Sequence, residues 1–143
     1  MRYSILSAIG VVATVLLAGC VEQPAEPGGD CVCTTQFVQV AITVLDAQGL
    51  PVSGLTIKVT MPRTGQILDP SRLSQGSEPG RYVIFNDAFK NLVAPENRES
   101  GEEIRVVGSL KDPIFDETYR IGAPGECHCH VAKVSGPDTV RVR

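Results

Sequence analysis

Apolar and polar residues alternate with period two along most of the chain after residue 30. In 37–45 and again in 55–61 every second residue is apolar, and in the second segment the residues between them are polar. Successive side chains of a strand point to opposite faces, so this period predicts two strands that each bury one face. The segment 46–49, Asp-Ala-Gln-Gly, lies after the first strand and predicts a turn.

Shorter apolar stretches separated by Gly and Pro predict further strands. Turn signals recur roughly every eight to twelve residues, which is typical of a β-sandwich or barrel. The fold class that follows is all-β, a single antiparallel β-sandwich of about eight strands with almost no helix. The further predicted strands are a weak, irregular one within 66–75 and clearer ones at 81–85, 103–110, 115–121, 126–134 and 139–142.

The segment 87–101 has the least regular pattern. Asp87 is a candidate N-cap for a short helical turn over 89–93, which Pro95 is expected to end. Four carboxylates lie in or beside this segment, and they favour a solvated loop over a calcium site because they lack the Asp-x-Asp-x-Asp-Gly order of a dedicated loop. These carboxylates are Glu96, Glu99, Glu102 and Glu103.

The first twenty residues differ from the rest. Arg2 precedes an apolar run over 5–17, which is too short for a stable membrane span but suits the apolar region of an export signal. The run ends in Leu-Leu-Ala-Gly-Cys at 16–20, which resembles the lipobox of bacterial lipoproteins. In that family the cysteine receives a diacylglyceryl group, the chain is cut just before it, and the new amino terminus is acylated. The resemblance therefore implies lipidation at Cys20.

This resemblance divides the chain into three parts. Residues 1–19 are predicted to be a lipoprotein signal peptide, 20–30 the lipidated cysteine with a disordered Pro/Gly-rich tether, and 31–143 the β-sandwich domain. The expected location is the bacterial cell envelope, with the membrane bound through the lipid. Val21 follows the cysteine, where Asp would mark retention in the inner membrane of enterobacteria, so the outer membrane is favoured.

The first hairpin of the domain carries a second resemblance. The segment 44–59 runs from a strand through an Asp-x-x-Gly turn, a proline and a small-residue corner into an alternating strand. It is similar to the opening of carboxypeptidase regulatory-like domains, which are transthyretin-like, Ig-like β-sandwiches. The Gly-Arg-Tyr step at 80–82 fits the family's glycine-aromatic entry into a later strand. The match covers about residues 38–86, and the irregular 87–101 departs from it. The family has no catalytic residues to transfer, so it implies a structural or binding module.

Composition and charge exclude some functions. The formal net charge is −3, and no Lys/Arg cluster lies along the chain, so nucleic acid is not an expected partner. Residues 20–143 are enough for one domain with a core. Export would place the domain in an oxidising compartment, where disulfides persist.

Four cysteines follow Cys20, as two Cys-x-Cys pairs. In a strand, residues i and i+2 share a face, so two neighbouring strands would allow two disulfides. Antiparallel neighbours would join Cys31 to Cys129 and Cys33 to Cys127, although sequence alone cannot select among the three possible connectivities. A structural staple next to the tether is the preferred interpretation.

Metal binding is the alternative interpretation of the same residues. The four cysteines together with His128 and His130 form a set of zinc or copper ligands. However, Cys-x₂-Cys is the usual zinc spacing, and export favours oxidation over thiolate ligation. On a regular strand the two histidines would face away from the cysteines and form a two-histidine surface site.

No nucleophile elbow, phosphate-binding glycine loop or dinucleotide fingerprint is present in the sequence. The sequence therefore predicts a non-catalytic, membrane-anchored envelope lipoprotein without a cofactor, whose β-sandwich is a structural or recognition module. The expected partners are the membrane and an envelope protein or peptide, the latter through an exposed sheet edge. A zinc- or copper-binding envelope protein is the alternative function.

Overall fold

Eight strands and three short 3₁₀ helices make up the computed structural model, which describes residues 31–73 and 78–143. The predicted signal peptide and tether lie outside the described residues. The strands are β1 Gln39–Leu45, β2 Thr56–Met61, β3 Gln66–Ile67, β4 Arg81–Asn86, β5 Glu102–Ser109, β6 Pro113–Gly122, β7 Ala132–Ser135 and β8 Thr139–Arg141. The 3₁₀ helices are Pro70–Arg72, Asp87–Leu92 and Pro95–Asn97.

The strands form two open sheets. One sheet has three strands in the order β4-β1-β8, and the other has five in the order β3-β2-β5-β6-β7. Buried residues from both sheets belong to one hydrophobic cluster, as expected for two sheets packed face to face. The predicted all-β class is confirmed, and the two sheets are compatible with a sandwich. The prediction of purely antiparallel pairing was wrong, because β8 pairs parallel with β1.

The period-two pattern correctly identified the buried faces of β1 and β2. Val40, Ile42 and Val44 of β1 are buried, and so are Ile57, Val59 and Met61 of β2. The residues between them on β2 are exposed or half-buried. Each strand is slightly shorter at its start than predicted. The predicted turn between these strands forms as well, because the Asp46 side chain accepts hydrogen bonds from the backbone N–H groups of Gln48 and Leu50.

The weak strand predicted within 66–75 is mostly not a strand. Only Gln66–Ile67 pairs with β2, and the first 3₁₀ helix follows at Pro70–Arg72. Leu68 and Leu73 are buried on either side of this helix. Asp69 caps it by accepting hydrogen bonds from the backbone N–H and hydroxyl of Ser71. Burial of the two leucines explains why the apolar pattern resembled a strand.

The helical turn predicted after residue 87 exists, but its limits were wrong. Asn86 is the N-cap of the second 3₁₀ helix and accepts a hydrogen bond from the Ala88 N–H. Asp87 is the first residue of the helix, and its carboxylate has other partners, described below. Pro95 does not end this helix. It begins the third one, where its missing N–H costs nothing.

The prediction that the four carboxylates belong to a solvated loop was wrong for Glu102. Its side chain is only 2 % exposed at the start of β5. The carboxylate accepts hydrogen bonds from Arg63 Nε at 2.8 Å, Asn97 Nδ2 at 2.9 Å and the Ala94 N–H at 3.3 Å. Burial disfavours the charged form, but these three donors outweigh it and hold the pKa of Glu102 below its ordinary value. Glu102 therefore fastens the third 3₁₀ helix to the five-stranded sheet.

The last strand of the five-stranded sheet is much shorter than predicted. β7 spans Ala132–Ser135, whereas a strand over 126–134 was expected. Residues 123–131 form an irregular loop instead, which we call the C-terminal loop. Its backbone includes His128 at a φ of 45°, a conformation incompatible with a regular strand. Cys127, Cys129 and both histidines therefore lie in the C-terminal loop, which is the location of the candidate site.

Removing the Tyr119 hydroxyl is expected to stabilise the fold. Tyr119 is fully buried, and its hydroxyl has no hydrogen-bond partner among the described residues. Burial, with a smaller contribution from Glu117, raises the pKa of Tyr119 to about 12. Because an unsatisfied buried hydroxyl costs ~1–3 kcal/mol, Tyr119→Phe should raise the free energy of unfolding by about 1 kcal/mol. Urea unfolding at neutral pH measures this, and a lower midpoint in the variant would reveal a partner for the hydroxyl.

Candidate functional site

The four domain cysteines form two disulfides at one end of the molecule. Cys31 pairs with Cys127 and Cys33 with Cys129, and the Cα atoms in each pair are 5.4 Å apart. We call these four residues the disulfide clamp. The prediction of two disulfides is confirmed. The pairing expected for antiparallel strands was wrong, because residues 31–35 and the C-terminal loop are irregular and run past each other in the same order.

The disulfide clamp joins the segment that leads into one sheet to the segment that leads into the other. Residues 31–35 lead into β1 of the three-stranded sheet, and the C-terminal loop leads into β7 of the five-stranded sheet. Each disulfide links residues 96 positions apart. The first described residues of the domain are therefore held covalently to the body of the fold.

Asp87 ties the same two segments together without covalent bonds. Its Oδ2 accepts hydrogen bonds from the Val38 N–H at 2.9 Å and from His130 Nδ1 at 2.7 Å. Its Oδ1 accepts from the Val131 N–H at 2.9 Å. One carboxylate thus connects the residue before β1, the second 3₁₀ helix and the C-terminal loop. This position explains why Asp87 does not act as the helix cap.

The surroundings of Asp87 favour its charged form. Partial burial alone would raise its pKa, but the hydrogen bonds from Val38, His130 and Val131 together lower the pKa of Asp87 below its ordinary value of 3.8. A carboxylate with a lowered native pKa stabilises the folded state above its unfolded-state pKa. The contribution is lost as the pH falls through the native pKa, so acid should loosen this end of the domain.

His130 connects Asp87 to a hydroxyl on the N-terminal segment. A carboxylate can only accept, so Nδ1 of His130 carries the proton that Asp87 binds. In the neutral ring Nε2 is then an acceptor, and it lies 2.8 Å from Thr34 Oγ1, which donates to it. The row Thr34–His130–Asp87 has the order hydroxyl, imidazole, carboxylate that hydrolases use to activate a nucleophile. Here it also fastens the residue next to Cys33 to the second 3₁₀ helix.

His128 points into different surroundings. Its Nδ1 donates to the Ala123 carbonyl oxygen at 2.6 Å, and its backbone is the one non-glycine with positive φ in the parts of the chain that the structure describes. Such a conformation costs about 1–3 kcal/mol and persists only where the surroundings enforce it. Here the flanking Cys127 and Cys129 are both in disulfides. The predicted placement of both histidines on one face of a strand was wrong.

Most of the candidate metal ligands already have other partners in the structure. All four cysteines of the disulfide clamp are oxidised, and an oxidised cysteine offers no thiolate ligand. Both ring nitrogens of His130 and one of His128 already have hydrogen-bond partners. Across residues 31–73 and 78–143, no group of three or more His, Cys, Asp or Glu side chains is arranged to hold a metal ion.

A small cavity lies beside the disulfide clamp. Its volume is about 220 Å³, and we call it the clamp cavity. The Lys90 ammonium donates to the Cys129 carbonyl oxygen at 3.2 Å, which holds this side chain against the C-terminal loop. Lys90 and Asn91 come from the second 3₁₀ helix, and Arg98 follows the third. The residues that line it are Lys90, Asn91, Arg98, Cys127 and His128.

Sequence reasoning found the cysteines and histidines of this end but missed their partners. The structure joins Cys31, Cys33, Cys127 and Cys129 in two disulfides, as the structural-staple interpretation predicted. His128 and His130 lie in the same loop but have different hydrogen-bond partners. Thr34, Asp87, Lys90 and Arg98 were not predicted as site residues. Thr34 and Asp87 carried no signal beyond an adjacent cysteine and an adjacent strand end, because their roles depend on contacts 43–96 positions away in the chain.

Comparisons with known proteins identify no relative for this chain. No protein-family model, no curated protein and no solved structure matches it. Among the described residues, no helix has the length and apolar character needed to cross a membrane.

Proposed function

We propose that this chain is a non-catalytic bacterial envelope lipoprotein, anchored to the membrane by lipid on Cys20. Its domain is a transthyretin-like, Ig-like β-sandwich that serves as a structural or recognition module. Residues 1–19 are the signal that is removed, and 20–30 are the tether. The outer membrane is the favoured location because Val21, and not Asp, follows the cysteine.

The disulfide clamp is the observation that carries this proposal. A domain held by a lipid through its N-terminal tether experiences any pulling force at the residues where the tether joins the domain. In this chain those residues are Cys31 and Cys33, each covalently joined to the C-terminal loop. Force applied at the tether therefore passes into both sheets without unravelling β1. Disulfides also persist mainly in oxidising compartments, which agrees with export.

Contacts around the connection from β1 to β2, which lie in different sheets, support the family proposal. Gly80 has a φ of 72°, and a Cβ atom added to it would lie 2.8 Å from Pro51 Cβ, so the glycine and the proline corner pack directly against each other. The Tyr82 hydroxyl donates to the Val52 carbonyl oxygen at 2.8 Å and accepts from the Leu55 N–H at 3.1 Å. The glycine-aromatic step thus supports the proline corner between β1 and β2. These are two of the motifs on which the family resemblance depends.

The open sheets offer a means of recognition. β3 and β7 are the edges of the five-stranded sheet, and β4 and β8 are those of the three-stranded sheet. An extended peptide can add to such an edge through main-chain hydrogen bonds. An envelope protein or peptide is therefore the proposed partner, and nucleic acid is not, because the chain has a net charge of −3.

Replacing Cys20 with serine should abolish anchoring. Serine has no thiol to receive the diacylglyceryl group, so Cys20→Ser should lose lipid labelling and should not be cut before residue 20. Intact mass of the wild-type protein should show the lipid mass at Cys20 and the loss of two hydrogens for each disulfide. Cys31→Ser with Cys127→Ser is the matched control, since it removes cysteines but leaves the lipobox intact. Lipid labelling that persists in Cys20→Ser would overturn the anchor.

A hydrolase is the second candidate, favoured by the Thr34–His130–Asp87 row. The hydroxyl–imidazole distance of 2.8 Å and the imidazole–carboxylate distance of 2.7 Å suit proton transfer. The saturation of Asp87 by two backbone N–H groups favours the structural role instead. Assays of ester and peptide hydrolysis decide between them, with Thr34→Val as the matched variant. Turnover by the wild type that Thr34→Val abolishes would replace the non-catalytic proposal.

Measuring metal content distinguishes the zinc- or copper-binding alternative from the proposed function. Protein purified from the membrane without chelator should contain four unreactive domain cysteines and no stoichiometric metal. Reactive thiols with one equivalent of zinc or copper would instead favour a metal-binding envelope protein that uses the cysteines with His128 and His130.

A further inference from the structure

We propose that the clamp cavity binds a phosphate group. Two cationic side chains, Lys90 and Arg98, line it together with the Asn91 amide and the His128 imidazole, and no carboxylate is among its lining residues. Neither cation forms an ion pair with a carboxylate in the described parts of the chain. The cavity therefore concentrates positive charge in a protein whose net charge is −3.

Two of the lining side chains, Lys90 and His128, are held in place by contacts outside the cavity. Lys90 Nζ uses one N–H on the Cys129 carbonyl oxygen and keeps two for a ligand. His128 is fixed by its Nδ1–H bond to Ala123, and the structure assigns no partner among the described residues to Nε2. Its left-handed backbone is enforced by disulfides on both sides. Strain that is retained at a cavity wall is typical of a binding site.

Size and donor number select the class of anion. A volume of about 220 Å³ is below the ~300–1,000 Å³ of sites for drug-sized ligands, so a compact group fits. An ammonium, a guanidinium and an amide supply more donors than the two oxygens of a carboxylate can use. A phosphate has three or more oxygens and up to two charges, and an arginine binds it bidentately. Phosphate therefore satisfies the cavity better than a carboxylate does.

Two sources can supply this group. Cys127 of the cavity is joined to Cys31, which lies eleven positions after Cys20 in the chain. If the proposed lipid anchor is correct, at most ~40 Å of extended chain separates the cavity from the membrane, so a lipid headgroup can reach it. The other source is a free phosphorylated molecule. Binding of inorganic phosphate itself does not depend on the anchor, so this inference and the anchor can fail separately.

Calorimetric titration of the full-length, detergent-solubilised protein with inorganic phosphate tests the site. We expect saturable binding at one equivalent, tighter than the binding of acetate under the same conditions. Arg98→Gln and Lys90→Gln should each weaken phosphate binding roughly tenfold, because each removes a charge-assisted hydrogen bond. Arg98→Lys keeps the charge but not the bidentate geometry, so its affinity for phosphate should lie between those of the wild type and Arg98→Gln. Lys111→Gln removes an exposed charge outside the cavity and should change nothing.

Arg98→Gln should leave the fold intact. The Arg98 carbonyl oxygen, and not its side chain, accepts the structural hydrogen bond from the Ala123 N–H, so Arg98→Gln should unfold at the wild-type temperature. Absence of phosphate binding to the wild type, equal binding by Arg98→Gln, or equal affinity for acetate would overturn the proposal.

Bilayer discs distinguish the two sources. The protein is placed in discs of phosphatidylcholine alone or in discs that also contain phosphatidic acid, and each preparation is titrated with inorganic phosphate. If the headgroup occupies the clamp cavity, phosphatidic acid should suppress the titration in the wild type, whose cavity is then already filled. Equal titrations in both discs would support a free phosphorylated ligand at the same site.

Discussion

Removing both disulfides is expected to destabilise the domain far more than the two single removals together. Each disulfide closes a loop across 96 positions, so with the other one absent it contributes ~4.7 kcal/mol in the chain-entropy model. Once one disulfide is present, the second closes a ring of only roughly six residues and adds about 2 kcal/mol. Either single removal should therefore cost about 2 kcal/mol, and the double removal about 7 kcal/mol.

The measurement is urea unfolding of three variants beside the wild type. Cys31→Ala with Cys127→Ala removes one disulfide, Cys33→Ala with Cys129→Ala removes the other, and the third variant carries all four substitutions. Removing both partners of each disulfide leaves no free thiol to form a wrong pair. Typical domains have 5–15 kcal/mol of stability, so the quadruple variant should be largely unfolded or close to its midpoint in water.

Equal losses in all three variants would contradict the pairing in the structure. If the disulfides were Cys31–Cys33 and Cys127–Cys129, each double variant would remove one partner of both disulfides, so it would lose as much stability as the quadruple variant. The crossed pairing, Cys31–Cys129 with Cys33–Cys127, would likewise lose both disulfides in each double variant. Peptide mapping of the unreduced protein separates the observed pairing from the other two, because only the observed pairing joins Cys31 to Cys127.

The strands could be predicted because their signal is local. Ile57, Val59 and Met61 are buried, and they alternate with polar residues inside seven consecutive positions, so neither partner strand nor register was needed to find β2. The same holds for β1, and the Asp46 turn follows from hydrogen bonds that span only four residues. The parallel pairing of β1 with β8 depends on how distant segments meet, and no local pattern encodes it.

The candidate site was predictable only in part, for the same physical reason. Cys127 and Cys129 alternate with histidines and resemble a strand, but the Val131 N–H bonds to Asp87 and His128 has a φ of 45°, so the segment is a loop. Once the strand is absent, alternation no longer decides which way each side chain faces. The tertiary contacts that make this segment a loop therefore also determine which cysteines pair and why His128 and His130 have different surroundings.

Replacing Asp87 with asparagine is expected to destabilise the domain by about 3 kcal/mol. The carboxylate accepts from three donors, the Val38 N–H, the Val131 N–H and His130 Nδ1. Asparagine keeps one acceptor oxygen and turns its NH₂ towards at least one of these donors. One or two part-buried N–H groups are then left without an acceptor. Because Asp87 connects both sheets, the loss should appear as a lower urea midpoint for the whole domain.

The stabilisation of the folded domain by Asp87 should depend on pH. The native pKa of Asp87 lies below 3.8, so its stabilisation is present above about pH 4 and is lost as the pH falls through the native pKa. Stability of the wild type should therefore decline below about pH 4, and Asp87→Asn should decline less steeply because it has no proton to gain there. Exposed Asp112 provides the control, and Asp112→Asn should keep the wild-type midpoint and acid limb.

Asp87→Asn also separates the structural and catalytic interpretations of His130. If Asp87 mainly fastens the C-terminal loop, the variant should expose the disulfide clamp, so Cys33–Cys129 should be reduced faster by a small thiol while Asp112→Asn behaves like the wild type. If instead Asp87 mainly orients His130 for chemistry at Thr34, the clamp should keep its reduction rate and hydrolysis should be lost. Two backbone donors and one imidazole on a single carboxylate favour the first outcome. Unchanged stability together with an unchanged reduction rate would contradict the role assigned here to Asp87.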